Sequence, residues 1–85
     1  MNAFKLLNED KNLYSTSDLA LAAAINLYYP IKAINKDNPK KVYFIFEKSK
    51  NLNLVIEKFW GRELKVDALL YFNSLKTLKN RIYNS

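Results

Sequence analysis

The stretch KVYFIFE, residues 41–47, decides the fold of this chain. Most of its positions are β-branched or aromatic, which is typical of a strand. A second, shorter strand candidate is IKAI, residues 31–34. Asp37, Asn38 and Pro39 lie between the two stretches and are residue types that favour turns. The sequence therefore predicts a β-hairpin here.

Both faces of the longer strand are apolar. Val42, Phe44 and Phe46 point to one side, and Tyr43 and Ile45 point to the other. One face is expected to pack against helices. The other face needs a cover or a ligand.

The first predicted helix lies within YSTSDLALAAA, residues 14–24, and the residues after it. Ser15 and Asp18 fit a capping box, which marks a helix start. From Leu19 to Tyr28 the segment is apolar almost all round, which predicts a helix buried against a sheet. Pro30 is expected to end this helix, because the residue before a proline avoids the helical region.

Two further helices are predicted from apolar residues at helical spacing. The apolar positions of the first are Leu52, Val55, Ile56 and Phe59, and those of the second are Tyr71, Leu75, Leu78 and Ile82. Gly61 stands where a left-handed C-cap is expected after the first of these helices. Asp67 is the predicted N-cap of the second.

The order of these elements predicts a small α+β domain, in which a hairpin-centred antiparallel sheet packs with three helices. If residues 12–14 and 63–66 are also strands, the order is β-α-β-β-α-β followed by a C-terminal helix, which is the ferredoxin-like order. A two- or three-stranded sheet is the alternative. The 85 residues are expected to form a single domain, with residues 1–11 as a candidate flexible or docking arm.

The composition excludes several kinds of site. The chain has no Cys and no His, which excludes disulfides, thiolate or imidazole metal sites and His-based triads. A single Gly argues against a phosphate-binding loop. Glu63 and Lys65 have the acid-x-Lys spacing of metal-dependent nucleases, but no paired acid upstream supports that interpretation. We expect a non-enzymatic protein without a cofactor or a metal.

The sequence predicts no membrane segment. The N-terminus lacks a signal-peptide hydrophobic stretch, and the longest apolar run, Leu19 to Ile25, is far shorter than the roughly 20 residues of a membrane span. We expect a cytoplasmic protein with no membrane partner.

The formal net charge of +6 is unevenly distributed. Residues 32–65 contain nine basic and four acidic residues, a local net charge of +5. Residues 68–85 add three basic residues and no acid, whereas residues 1–31 have a net charge of −1. A basic surface on one side of a protein favours nucleic acid. The sequence leaves open the alternative that a Lys-rich composition only keeps the surface solvated.

The predicted nucleic-acid contacts lie in the hairpin turn, at the end of the second predicted helix and on the last helix. They are Lys36, Lys40, Lys41, Lys58, Trp60, Arg62, Lys76, Lys79 and Arg81. The expected partner is single-stranded or structured RNA or DNA, or a larger nucleoprotein complex. The alternative is a protein-interaction module that uses the hairpin or Trp60 as its contact.

The aromatic residues beside these cations have two interpretations. Phe72 and Tyr83 interleave with Lys76 and Lys79, an arrangement that suits single strands. Such stripes are more often core, so we expect a buried Phe72 with the lysines lying over it. Trp60 is also expected to be partly buried; an exposed ring there becomes a contact for nucleic acid or protein.

The chain resembles a family of short bacterial and phage proteins of unknown function. The resemblance rests on YSTSDLALAAA at residues 14–24, VYFIFE at 42–47, KFWGRELKV at 58–66 and LKTLKNRIYNS at 75–85. It runs from about Leu13 to the end of the chain. It implies only a phage or mobile-element setting. Within that setting, the basic surface favours an accessory part of a larger nucleoprotein machine, and the alternative is a phage-encoded inhibitor or structural component that contacts a protein. The resemblance names no site.

Overall fold

The computed structural model describes residues 12–83, which form a three-stranded antiparallel sheet and three helices. The elements are β1 (Leu13–Thr16), α1 (Leu19–Ile25), β2 (Ala33–Asn35), β3 (Tyr43–Glu47), α2 (Lys50–Trp60) and α3 (Ala68–Tyr83). The predicted α+β fold is therefore confirmed. The predicted N-terminal arm, residues 1–11, lies outside the described residues.

Strand β3 is the centre of the sheet, because it pairs with β1 on one edge and with β2 on the other. Both pairings are antiparallel, with Thr16 opposite Phe44 and Ala33 opposite Ile45. The turn of the β2–β3 hairpin is closed by Asn38, whose carbonyl oxygen accepts from the backbone amide of Lys41 at 3.1 Å. The predicted hairpin is confirmed.

The expected strand at residues 63–66 is wrong, because these residues form no strand. The backbone amides of Glu63 and Leu64 both donate to the carbonyl oxygen of Lys58, at 2.9 and 3.1 Å. These amides close the end of α2 and are not offered to a neighbouring strand. The segment therefore connects α2 to α3, and the acid-x-Lys pair of Glu63 and Lys65 does not lie on a strand.

The helices pack against one face of the sheet. The buried cluster consists of Leu21, Ala22, Ala23, Ile25, Phe44, Phe46, Leu52 and Leu78. The small alanine side chains let α1 approach the sheet closely. Because strand side chains alternate, Ile45 points to the opposite face from Phe44 and Phe46, and it is buried as well. The two-sided apolar character predicted for β3 is therefore realised.

Each helix begins at a side-chain oxygen that accepts from the backbone amide three residues later. The caps are Asp18, Ser49 and Asp67, at donor–acceptor distances of 3.0, 3.0 and 2.9 Å. The predicted cap at Asp67 is confirmed. The expected capping box with Ser15 is wrong, because Ser15 lies in β1 and Asp18 is the cap of α1. Helix α1 ends at Ile25, well before Pro30.

Two hydroxyl groups of α3 tie this helix to α1. The Tyr71 hydroxyl donates to the carbonyl oxygen of Ala20 at 3.0 Å, and the buried Ser74 hydroxyl donates to that of Ala23 at 2.9 Å. Burial raises the pKa of Tyr71, and the Asp18 carboxylate adds to the rise. The phenol therefore stays protonated and able to donate well above neutral pH.

None of the helices in the described part of the chain has the length and apolarity that crossing a membrane requires. Helix α3, with 16 residues, alternates buried positions with exposed basic ones.

Replacing Leu78 by Ala is expected to destabilise the fold by about 2–5 kcal/mol, because removing a fully buried side chain from the core cluster leaves a cavity. Urea denaturation followed by circular dichroism measures the change. Leu69→Ala is the matched control on the same helix, since Leu69 is 67% exposed, and it should change stability by less than about 0.5 kcal/mol. Equal losses in the two variants would contradict this packing.

Candidate nucleic-acid interface

Four residues of α3 form one exposed stripe, here called the α3 stripe: Phe72, Lys76, Lys79 and Tyr83. Their spacing of four, three and four residues places them on one side of the helix. Phe72 is 54% exposed and Tyr83 is 80% exposed. The expectation that Phe72 is buried in a widened core is therefore wrong. The side of α3 that packs against the core includes Leu75 and Leu78, and Phe72 lies outside that side.

Cations lie over aromatic rings at two places, one on the α3 stripe and one on the face of the sheet opposite the helices. The Nζ of Lys76 lies 4.9 Å from the centre of the Phe72 ring, and the Nζ of Lys41 lies 5.8 Å from that of Tyr43. Such contacts are attractive through the ring quadrupole and orient both groups. The α3 stripe therefore presents a positive charge and a flat apolar ring side by side.

The hairpin turn and the end of α3 face each other across a groove of about 450 Å³. It is lined by Ser17, Leu19, Pro39, Lys40, Lys41, Val42, Phe44, Ile82 and Tyr83. Lys40 and Lys41 are exposed at the turn, and Tyr83 is the last residue of the α3 stripe. The groove thus brings the lysines of the hairpin turn next to the end of the α3 stripe. We call the groove and the α3 stripe together the hairpin–helix face.

Lys36 is also brought to this surface, but its ammonium group is engaged. Its Nζ donates to the carbonyl oxygens of Arg81 and Ile82 in the last turn of α3. A direct contact of Lys36 with a phosphate stays a prediction. Sequence reasoning missed the contact with α3, because the partners are 45 residues apart and no local pattern links them.

Arg81 is exposed on α3 but lies off the α3 stripe. It precedes Tyr83 by two residues, which is about 200° round the helix. Its side chain is therefore not brought together with Lys76 and Lys79.

Trp60 is 59% exposed at the end of α2, so the expectation of a partly buried ring is wrong. The preceding residue, Phe59, packs against the core and holds Trp60 in an edge-to-face contact with ring centres 5.0 Å apart. Adjacent helical residues point about 100° apart, and the indole of Trp60 points away from the side of α2 that Phe59 buries.

The end of α2 is a Schellman motif whose left-handed residue is Arg62, with φ of 61°. The amide of Arg62 donates to the carbonyl oxygen of Phe59 at 3.2 Å, and that of Glu63 donates to Lys58 at 2.9 Å. Gly61 has an ordinary right-handed conformation, so the expectation that Gly61 is left-handed is wrong. An added Cβ at Gly61 would lie 3.2 Å from the carbonyl oxygen of Glu57, a tight contact that requires a small local shift.

The two predicted regions differ in charge balance. Around Trp60, which together with Lys58 and Arg62 we call the Trp60 corner, the basic residues alternate with Glu57 and Glu63. Helix α3 contains no acid at all. Phosphate attraction is therefore expected to be stronger at the hairpin–helix face.

Within residues 12–83, carboxylates pair with few of the basic side chains. Among residues 12–83 the ion pair observed is Lys32 with Glu47, at 4.0 Å between exposed side chains. Exposed pairs of this kind contribute little to stability. Within the same residues no group of three His, Cys, Asp or Glu side chains is placed to hold a metal ion.

The chain matches the model of a known protein family. A domain of unknown function, DUF5659, matches residues 11–84. The chain belongs to the DUF5659 family. No curated protein and no solved structure matches the chain significantly. The predicted membership of a family of uncharacterised proteins is therefore confirmed.

The strained residue of this DUF5659 domain yields a stability prediction. Arg62→Gly should stabilise the fold by about 1 kcal/mol, because glycine adopts a positive φ without the steric penalty of a Cβ. Arg62→Ala removes the same charge but keeps the Cβ, so it should change stability by less than about 0.5 kcal/mol. Urea denaturation of both variants measures the difference. Equal stabilities of the two would show that the backbone conformation is not the cause.

Proposed function

We propose that the chain is a small non-enzymatic protein that binds single-stranded nucleic acid through its hairpin–helix face. In this proposal it works in the cytoplasm, in a phage or mobile-element setting, as an accessory part of a larger nucleoprotein complex. The single observation that supports it best is the α3 stripe, where two exposed rings flank two lysines on a helix without acids.

Exposed rings favour a single strand over a duplex. Bases can stack on Phe72 or Tyr83 only when they are unpaired, and each such contact contributes roughly 1–3 kcal/mol. The two rings are 11 positions apart in α3, which corresponds to about 16 Å along the helix axis. A strand bound along the α3 stripe would therefore stack on one ring at each end and place its phosphates beside Lys76 and Lys79.

The lysines supply the salt-dependent part of the affinity. Each phosphate that a lysine neutralises on a single strand contributes about −0.7 to the slope of log Kobs against log salt. Lys40 and Lys41 would extend the phosphate track across the groove beyond Tyr83. With only Lys on this path, binding should tolerate many sequences, because base edges are read best by forked guanidinium groups.

Fluorescence anisotropy with single- and double-stranded DNA and RNA at two salt concentrations tests the proposal. Lys76→Ala combined with Lys79→Ala should weaken single-strand binding and make the salt slope shallower by about 1.4, which is two contacts of about 0.7 each. The matched control, Lys48→Ala with Lys50→Ala, removes the same charge near the start of α2. It should keep most of the single-strand affinity and most of the salt slope. Absence of binding to all four nucleic acids at low salt would overturn the proposal.

The rings can be tested separately from the charges. Phe72→Leu and Tyr83→Leu leave the net charge unchanged, so the salt slope should stay the same while single-strand affinity falls about tenfold. Double-strand binding should hardly change. A ring variant that lowers both affinities equally would indicate that Phe72 and Tyr83 do not stack on bases.

A second candidate function is contact with a protein through the Trp60 corner. The exposed indole of Trp60 and the mixed charges of the residues around it support this candidate. Trp and Arg are enriched at the energetic centres of protein interfaces. Such a contact should depend little on salt, in contrast to phosphate binding.

The fluorescence of Trp60 discriminates between these two uses of the corner, since it is the only Trp in the chain. If the corner serves a protein partner, saturating single-stranded oligonucleotide should leave the emission of Trp60 nearly unchanged. Trp60→Ala should then keep the full oligonucleotide affinity. Strong quenching together with loss of affinity in Trp60→Ala would instead place the corner within the nucleic-acid interface.

A further inference from the structure

The last turn of α3 is held to the hairpin by a lysine. The last carbonyl groups of a helix have no partner within the helix and carry a partial negative charge. The Nζ of Lys36 donates to two of them, those of Arg81 and Ile82, the second at 3.2 Å. Lys36 follows β2 directly, so the bond links the hairpin to the helix end.

This link determines where Tyr83, the last residue of the α3 stripe, lies. Tyr83 immediately follows the bonded carbonyls, and Lys79 lies one turn before Tyr83. Tyr83 is largely exposed and buries little surface that could hold the turn in place. Helix ends fray when their terminal groups lose their partners. Without the ammonium group, the last turn of α3 would be held by the packing of Ile82 against the core, and Tyr83 beyond it would lose its fixed place beside the groove.

We propose that Lys36 is a positioning residue for the hairpin–helix face: its ammonium group fixes the last turn of α3 so that Tyr83 lies across the groove from Lys40 and Lys41. This inference rests on the proposed function of that face. It also changes the role predicted for Lys36, since the residue acts on the nucleic acid through α3.

Lys36→Met tests the inference, because methionine keeps an unbranched apolar stem and removes the ammonium group. Amide hydrogen exchange at residues 80–83, measured by NMR without nucleic acid, should become about two- to tenfold faster, as expected for the loss of a helix-end hydrogen bond. Lys36→Arg restores a cationic donor and should return exchange toward the wild-type rate. Lys48→Met, which removes the same charge elsewhere, should leave exchange at α3 unchanged.

The salt dependence of binding separates positioning from direct contact. In Lys36→Met, single-strand affinity should fall about two- to tenfold with the salt slope nearly unchanged. In Lys79→Met, where a phosphate contact itself is lost, the slope should become shallower by about 0.7. Lys36→Arg should recover most of the affinity.

Two results would overturn the role of Lys36. One is binding by the wild type with unchanged exchange and unchanged affinity in Lys36→Met. The other is a shallower salt slope with unchanged exchange, which would make Lys36 a direct phosphate contact. Failure of the wild-type protein to bind any oligonucleotide is a different outcome: it would overturn the proposed function itself, and with it the interface that Lys36 is proposed to position.

Discussion

Strand β3 is hydrogen-bonded on both edges, and the rest of the structure depends on that pairing. Because side chains alternate along a strand, the register with β1 and β2 decides that Phe44 and Phe46 face the helices. A slip of one residue would turn both rings to the opposite face. Leu21 of α1, Leu52 of α2 and Leu78 of α3 all belong to the cluster around these rings. The placement of all three helices therefore follows from the register of one strand.

The same register determines which surface α3 presents. Once Leu78 is committed to the cluster, the neighbouring side of the helix faces outward, and the α3 stripe lies there, about 100° round the helix from the apolar seam. The hairpin that provides β3 also ends in the turn with Lys40 and Lys41, next to the last turn of α3. Residues that are far apart in the sequence are thus gathered by the element that organises the core.

Local patterns predicted those parts of the fold that local physics determines. The alternation in β3, the turn residues before it and the apolar seam of α3 each depend on neighbours within a few positions, and each is confirmed. Exposure at the border of a helix face is different. Whether Phe72 belongs to the core depends on how far the neighbouring elements extend, and a helical repeat alone does not contain that information.

The errors at the end of α2 have a related cause. Glycine at a helix end predicts a left-handed residue nearby, but the choice between Gly61 and Arg62 depends on which amides bond to Lys58 and Phe59. The exposure of Trp60 follows from the same step, because Phe59 takes the core position beside it. The contact of Lys36 with α3 spans 45 residues and depends on the tertiary fold alone.

Solvation alone explains scattered lysines but not the composition of the α3 stripe. A lysine kept only for solubility needs no ring beside it, whereas Lys76 lies over Phe72 and Lys79 precedes Tyr83 by one turn. Leaving two large rings exposed forgoes burial that each could have contributed. The absence of acids from α3 leaves its cations without competition from carboxylates on the same helix. Charge and exposed rings on one helix face together favour a ligand that is both anionic and aromatic, and an unpaired nucleic-acid strand has both properties.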